Sequence, residues 1–189
     1  MFALLEKYGG RPPIAHYEPT YPLATCLPNG QLNSGSGFRI PLDSSTTFPS
    51  LDHTGLPPCY DTNGDPIYIG SAILRDAILP CKIGPHLPVP CLVPSRGCEI
   101  AYMGRYDLLL FNPDTMEFVH TSRGHFPAGR KLVKGGHNQD GTPLYHGVAM
   151  LNGIRIPGSI NPRRNWAGCN ITWGGAAHYA VADYEILCV

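Results

Sequence analysis

Charge is scarce in this sequence and has no net sign. Asp, Glu, Lys and Arg make up 15% of the 189 residues, and 14 basic residues balance 14 acidic ones. A neutral chain has no electrostatic footprint for nucleic acid, and without a polybasic segment it has none for a membrane surface. No apolar run approaches the roughly 20 residues of a membrane-spanning helix, so no integral membrane segment is expected. The opening stretch Met1–Gly10 has neither a basic region nor a sustained apolar one. It does not read as a secretory signal, and cytoplasmic residence is the expectation, with release to the outside left open. Catalytic signatures are missing too: there is no Gly-x-Ser-x-Gly, no His-Glu-x-x-His and no phosphate-binding loop. Histidines scattered among carboxylates leave only a triad assembled by folding, so the expectation is a protein that is not an enzyme.

Glycine and proline are abundant, at 22 and 20 residues, and hydrophobic residues reach 43%. That fraction can fill a core, and the punctuation predicts short strands joined by tight turns rather than long helices. Seven cysteines without an export signal read as reduced thiols, most of them small buried hydrophobes. Cys81, His86, Cys91 and Cys98 lie close together but lack a Cys-x-x-Cys spacing, so buried thiols are the better reading than zinc. Neither a metal nor a cofactor is expected.

The sequence repeats itself. Cys59-Tyr-Asp-Thr-Asn-Gly64-Asp-Pro-Ile-Tyr68-Ile-Gly70 and Ile78-Leu-Pro80-Cys-Lys82-Ile83-Gly-Pro85 return as Gly136-His-Asn-Gln-Asp-Gly141-Thr-Pro-Leu-Tyr145-His-Gly147 and Arg155-Ile-Pro157-Gly-Ser159-Ile160-Asn-Pro162. Gly64/Gly141, Tyr68/Tyr145, Gly70/Gly147, Pro80/Pro157 and Ile83/Ile160 share one spacing. A one-residue insertion later, Cys91/Cys169 and Tyr106/Tyr184 share the next. Gly64 and Gly141 follow Asx-type turn residues, where positive φ is tolerated. Pro66 and Pro143 open strands at the position where a missing N–H costs least. One copy buries too little to stand alone, so the two are expected to pack as a pseudo-symmetric pair. The division is an extended Pro/Gly-rich arm over 1–47, a first repeat over 48–111 and a second over 112–189. The arm is expected to lie along the core, with Phe38 and Ile40 to bury.

These segments resemble the DM9 repeat. The first copy carries Tyr60-Asp61, Gly64, Ile67-Tyr68-Ile69 and Ile78-Leu-Pro-Cys-Lys82. The second carries Gly135-Gly136-His137, Gly141, Leu144-Tyr145, Ile156-Pro157-Gly158, Gly174-Gly175-Ala-Ala-His178 and Tyr184-Glu-Ile-Leu187. The resemblance implies an all-β fold: two pseudo-symmetric repeats forming twisted antiparallel sheets, often with strands exchanged between them. It also implies a mannose-binding, lectin-like protein of innate recognition. In lectin-type members an Asp and a Lys hold sugar hydroxyls, and the matching positions are Asp61 and Lys82. A carboxylate acceptor beside an ammonium donor grips an adjacent pair of hydroxyls. The acidic residue such members carry before the lysine is absent here, where Ala77 stands, but Asp76 is adjacent. The second copy has Asn138 and Ser159 in place of Asp61 and Lys82, which removes both charges and leaves Asn138 as a weaker hydrogen-bonding substitute.

Plainer readings stand beside these. Asp61 is equally a turn-former bonding its own backbone, and Lys82 a solvated strand-end charge. Asp61-x-Asn63-x-Asp65 opens like a calcium loop, but the glycine is misplaced and Ala72 stands where the closing glutamate belongs. Asn170-Ile-Thr172 is a sequon inside a predicted strand. Trp166, Trp173 and Tyr179 serve either a core or a sugar platform. Two functions follow: recognition of mannose-type glycans, or a diverged DM9 scaffold that binds protein. Free strand edges also invite a homodimer.

Overall fold

A computed structural model describes residues 37–163, 168–180 and 182–189. The extended course expected for the arm falls largely outside them. Its last residues are described, and they form a strand: β1 (Arg39–Leu42) joins the sheet, Ile40 packs on the core, and Phe38 is exposed rather than buried. The first half continues with a single helical turn α1 (Leu51–Thr54), then β2 (Cys59–Tyr60), β3 (Pro66–Ile73), β4 (Ile78–Ile83), β5 (Cys91–Ser95), β6 (Cys98–Ala101) and β7 (Tyr106–Leu109). The second half contributes β8 (Glu117–Thr121), β9 (Lys134–His137), β10 (Pro143–Leu151), β11 (Ile154–Asn161), β12 (Gly168–Trp173), β13 (Ala176–Ala180) and β14 (Tyr184–Cys188).

The strand order is a palindrome. Hydrogen bonding runs β1-β7-β3-β4-β5-β6-β13-β12-β11-β10-β14-β8, with β2 added to β3 and β9 to β10. Each element of the first half thus meets its counterpart at the mirrored place, about a pseudo-twofold between β6 and β13. Registers agree residue by residue. Tyr68 faces Ile83 and Gly70 faces Cys81, as Tyr145 faces Ile160 and Gly147 faces Gly158. On the other side Gly70 faces Leu108 and Gly147 faces Ile186. The turns obey the chemistry that marks them in sequence: Gly64 and Gly141 have φ of 82° and 78°. In both, the amide two residues before the glycine's Asx neighbour closes the loop, with Asp61 N–H donating to Asp65 O and Asn138 N–H to Thr142 O, each at 2.9 Å.

Two matching clusters fill the halves. Tyr106, Ile83, Cys91 and Leu108 bury in one, and Tyr184, Ile160, Cys169 and Ile186 in the other. Each large apolar side chain so buried stabilises the fold by roughly 1.5–3 kcal/mol. Gly70 sits at the crowded centre of its sheet, where an added Cβ would lie 2.1 Å from the carbonyl oxygen of Asp107. The repeats also pair with each other. Cys98 faces Ala176 across the β6–β13 seam, and Ile78 of β4 faces His137 of β9.

A buried polar clasp ties the arm's strand to both repeats. Arg39 donates to Asp107 (2.7 Å), Ser71 (3.0 Å) and the Lys134 carbonyl (2.9 Å), and its second nitrogen meets His146 Nε2 at 2.9 Å. Burial and the Arg39 charge hold the His146 imidazole well below its ordinary pKa, so it is neutral. Burial lifts Asp107 above the usual carboxylate range even though Arg39 opposes the shift.

Candidate functional site

Asp61 and Lys82 do not share a site in the fold; each has its own partners, and no ion pair joins them. Asp61 Oδ1 accepts the backbone N–H groups of Asn63 (2.8 Å) and Asp65 (2.9 Å), and its Oδ2 lies 3.0 Å from His86 Nε2. Burial would raise its pKa, but these N–H donors and His86 outweigh it and the carboxyl titrates below its ordinary range. Oxygen and nitrogen atoms of Asp61, Asp65 and His86 come within 4.8 Å of one another. The same corner of the second repeat is stapled by Arg163 on Asp140 at 2.7 Å, so a turn-to-loop contact is common to both halves while its chemistry is exchanged. Asp76 projects from the β3–β4 turn, exposed, with Arg75 4.0 Å away.

Lys82 is buried at the junction between the repeats, not solvated. Its ammonium donates to Glu99 (2.8 Å) and to the Thr172 carbonyl (2.9 Å) and lies 5.3 Å from the centre of the Trp173 ring. The second oxygen of Glu99 accepts the Gly175 N–H at 2.9 Å. Burial alone would raise the Glu99 pKa, but the hydrogen bond and charge of Lys82 reverse that and hold it below the ordinary value. The cluster spans β4 and β6 of one repeat and the β12–β13 turn of the other.

The pseudo-twofold supplies a second such junction, and its composition differs. Where the first has Lys82, Glu99 and Trp173, the second has Ser159, Ala177 and Ser95. Three large side chains are replaced by three small ones. A cavity of about 420 Å³ opens there between the β5–β6 turn and the face of β11 and β12. Its wall presents the neutral hydrogen-bonding groups of Asn138, Ser159, Asn161 and Asn170, with the half-exposed ring of Tyr179 beside them and Leu79 and Pro80 as an apolar floor. Arg96, on the turn, is the one charged residue among the described ones that lines it. Asn138 is thus the only one of the four sequence candidates in this wall. Asn161, Ser159 and Arg96 escape a motif search because none belongs to a functional signature. Comparing Lys82 with Ser159 and Glu99 with Ala177 in the repeat register is the signal that finds the site.

The aromatic candidates divide: Tyr179 lines the cavity, Trp173 belongs to the filled junction, and Trp166 lies outside the described residues. Among the described residues no histidine is arranged to activate a buried nucleophile. Ser71 Oγ donates to the Gly135 carbonyl at 2.7 Å, and Arg39 stands between Asp107 and His146. Of the described cysteines only Cys98 is exposed, and Cys81 and Cys91 are free thiols whose sulfurs meet at 3.4 Å in a hydrogen bond rather than a disulfide. Among the described residues no helix is long and apolar enough to cross a membrane.

The model of the DM9 repeat matches residues 61–180. No curated protein matches the chain. Among solved structures, the crystal structure of the nematode sperm cell motility protein MFP2B superimposes with a TM-score of 0.57 at 14% identity. The match covers 90% of this chain and 53% of that one, so the chain spans about half the length of this structural relative. At that identity the likeness concerns the fold.

Proposed function

From the premise that this chain belongs to the DM9-repeat family, we propose that it is a non-catalytic carbohydrate-binding protein that takes a mannose-type glycan at the open repeat junction. The observation that carries the reading is the cavity of about 420 Å³ lined by Asn138, Ser159, Asn161 and Asn170. Ligand pockets run from roughly 300 to 1,000 Å³. Side-chain amides and a hydroxyl both donate and accept, which is what vicinal sugar hydroxyls require, and Tyr179 offers an aromatic face for the ring's C–H side. In this reading Asn138 is a binding residue, Lys82 is part of the filled junction, and Asp61 and Asp76 lie apart from the ligand. The site is open and wet, so single-site affinity is weak and avidity comes from multivalent glycans or from a second copy of the chain.

The test is calorimetric titration of mannose and mannan into the native chain, Asn138→Ala/Asn170→Ala and Asp61→Ala. The proposal expects binding by the native chain and Asp61→Ala and at least a tenfold loss in the double variant. Loss in Asp61→Ala alone would move the site to the first repeat. Absence of binding by the native chain would favour the protein-binding scaffold, for which Leu51, Leu56 and Tyr60, exposed around α1, are the first surface to mutate.

A further inference from the structure

We infer that the open junction selects an anionic sugar, a hexose bearing a carboxylate or sulfate, and that Arg96 is the residue that reads the charge. The inference rests on the carbohydrate reading of this cavity and narrows it to a ligand class.

Among the described residues the wall is neutral apart from Arg96 and contains no carboxylate. A neutral hexose would satisfy the amides and leave the guanidinium to water. A hexuronate or sulfated hexose would engage both, since a guanidinium presents parallel N–H donors matched to a carboxylate or sulfate edge. Among the described residues, Arg163, just beyond the lining residue Asn161, is already committed to Asp140. Arg96 makes no ion pair with another described residue.

Its backbone adds a second observation. The β5–β6 turn places Arg96 and Gly97 at φ of 50° and 79°, and the corresponding turn of the second repeat uses Gly174 and Gly175 at 63° and 85°. Both central positions demand the left-handed conformation that glycine adopts without penalty. The repeat that overhangs the filled junction keeps two glycines. The one that overhangs the cavity carries a long cationic side chain at a position where any non-glycine residue is strained. Arg123 takes the same left-handed conformation before Gly124 and does not line the cavity, so what bears on the ligand is the placement of Arg96 on the cavity wall.

The experiment titrates the full chain with glucuronate and glucose 6-sulfate against glucose and methyl mannoside, at low and high salt, and repeats the series with Arg96→Gly. That variant restores the residue found in the other turn, so folding is retained. Expected is an affinity for at least one acidic sugar about three- to tenfold above the neutral ones, as suits a charge at a solvated rim. The advantage shrinks in high salt and vanishes in Arg96→Gly, and the two acidic ligands tell carboxylate from sulfate. Neutral sugars that bind as tightly as both acidic ones overturn the inference and leave the carbohydrate reading intact. An acidic preference that survives in Arg96→Gly also overturns it. Failure of every sugar to bind removes both.

Discussion

At one junction between the repeats a lysine, a glutamate and a tryptophan interlock; at the other, two serines and an alanine occupy the same places. The backbones around them are equivalent, strand for strand and register for register. The two junctions therefore differ at three side chains rather than in architecture. The filled junction spends its polar groups on one another: Lys82 on Glu99 and a carbonyl, Glu99 on Lys82 and an amide. The open one engages Asn161 Oδ1 with the Arg163 N–H at 3.0 Å, and no side-chain hydrogen bond joins Asn138 or Asn170 to another described residue. A duplicated fold allows this division, because one copy can hold the pair together while the other keeps space for a ligand.

The comparison breaks most severely at Lys82. Lys82→Ala strands Glu99 in a largely buried position without its counter-charge, and loss of one partner of a buried pair costs about 3 kcal/mol or more. Ser159→Ala, at the matching place, is expected to cost less than about 0.5 kcal/mol. Urea unfolding of the two variants side by side measures the difference, and equal effects would mean the junctions are not the unequal pair described. A smaller effect on stability, but a decisive one on binding, is expected from carrying the plug across. Ser159→Lys with Ala177→Glu should fill the cavity and lower glycan affinity at least tenfold while far-ultraviolet circular dichroism stays that of the native chain. Unchanged affinity would place the ligand elsewhere.

Acid sharpens the contrast with the mildest perturbation. Glu99 has a folded-state pKa below its unfolded one, so the folded protein binds fewer protons than the unfolded chain across that interval. Its contribution is complete above the ordinary glutamate range and is lost as pH falls through the depressed value. Replacing the pair by Lys82→Met/Glu99→Leu should flatten that limb of the stability–pH curve, measured as the urea midpoint at successive pH values. Changes at Ser159 and Ala177 to other small uncharged residues should leave it as it was.

The repeat was legible because its markers sit where the backbone leaves no choice. Gly64 and Gly141 fill left-handed turns, Pro66 and Pro143 begin strands, and Gly70 and Gly147 stand where neighbouring strands come closest. Such positions keep their spacing while the rest of the sequence drifts. The edge strands were harder: β1 and β8 carry no motif, and Arg39–Leu42 reads as arm until β7 is placed beside it. The site was least legible of all. Lys82 looks like a surface charge until Glu99, two strands away in the sheet, and Trp173, from the other repeat, enclose it. The cavity is made of what is missing at Ser95, Ser159 and Ala177, and small residues announce nothing until their larger counterparts are set opposite.

Arg39 has a consequence for the order of events in folding. Most pairings within each repeat join strands that are neighbours in sequence and form from short loops. The clasp instead connects residues as far as 107 positions apart, and its ligands on β3, β7, β9 and β10 exist only once both meanders have formed. Closing loops of that length costs chain entropy that only the completed contacts repay. A clasp that closes after the main barrier makes Arg39→Met speed unfolding and leaves the folding rate unchanged, whereas a clasp formed at the barrier makes the same variant slow folding. Stopped-flow folding and unfolding of Arg39→Met tells a latch from a nucleus.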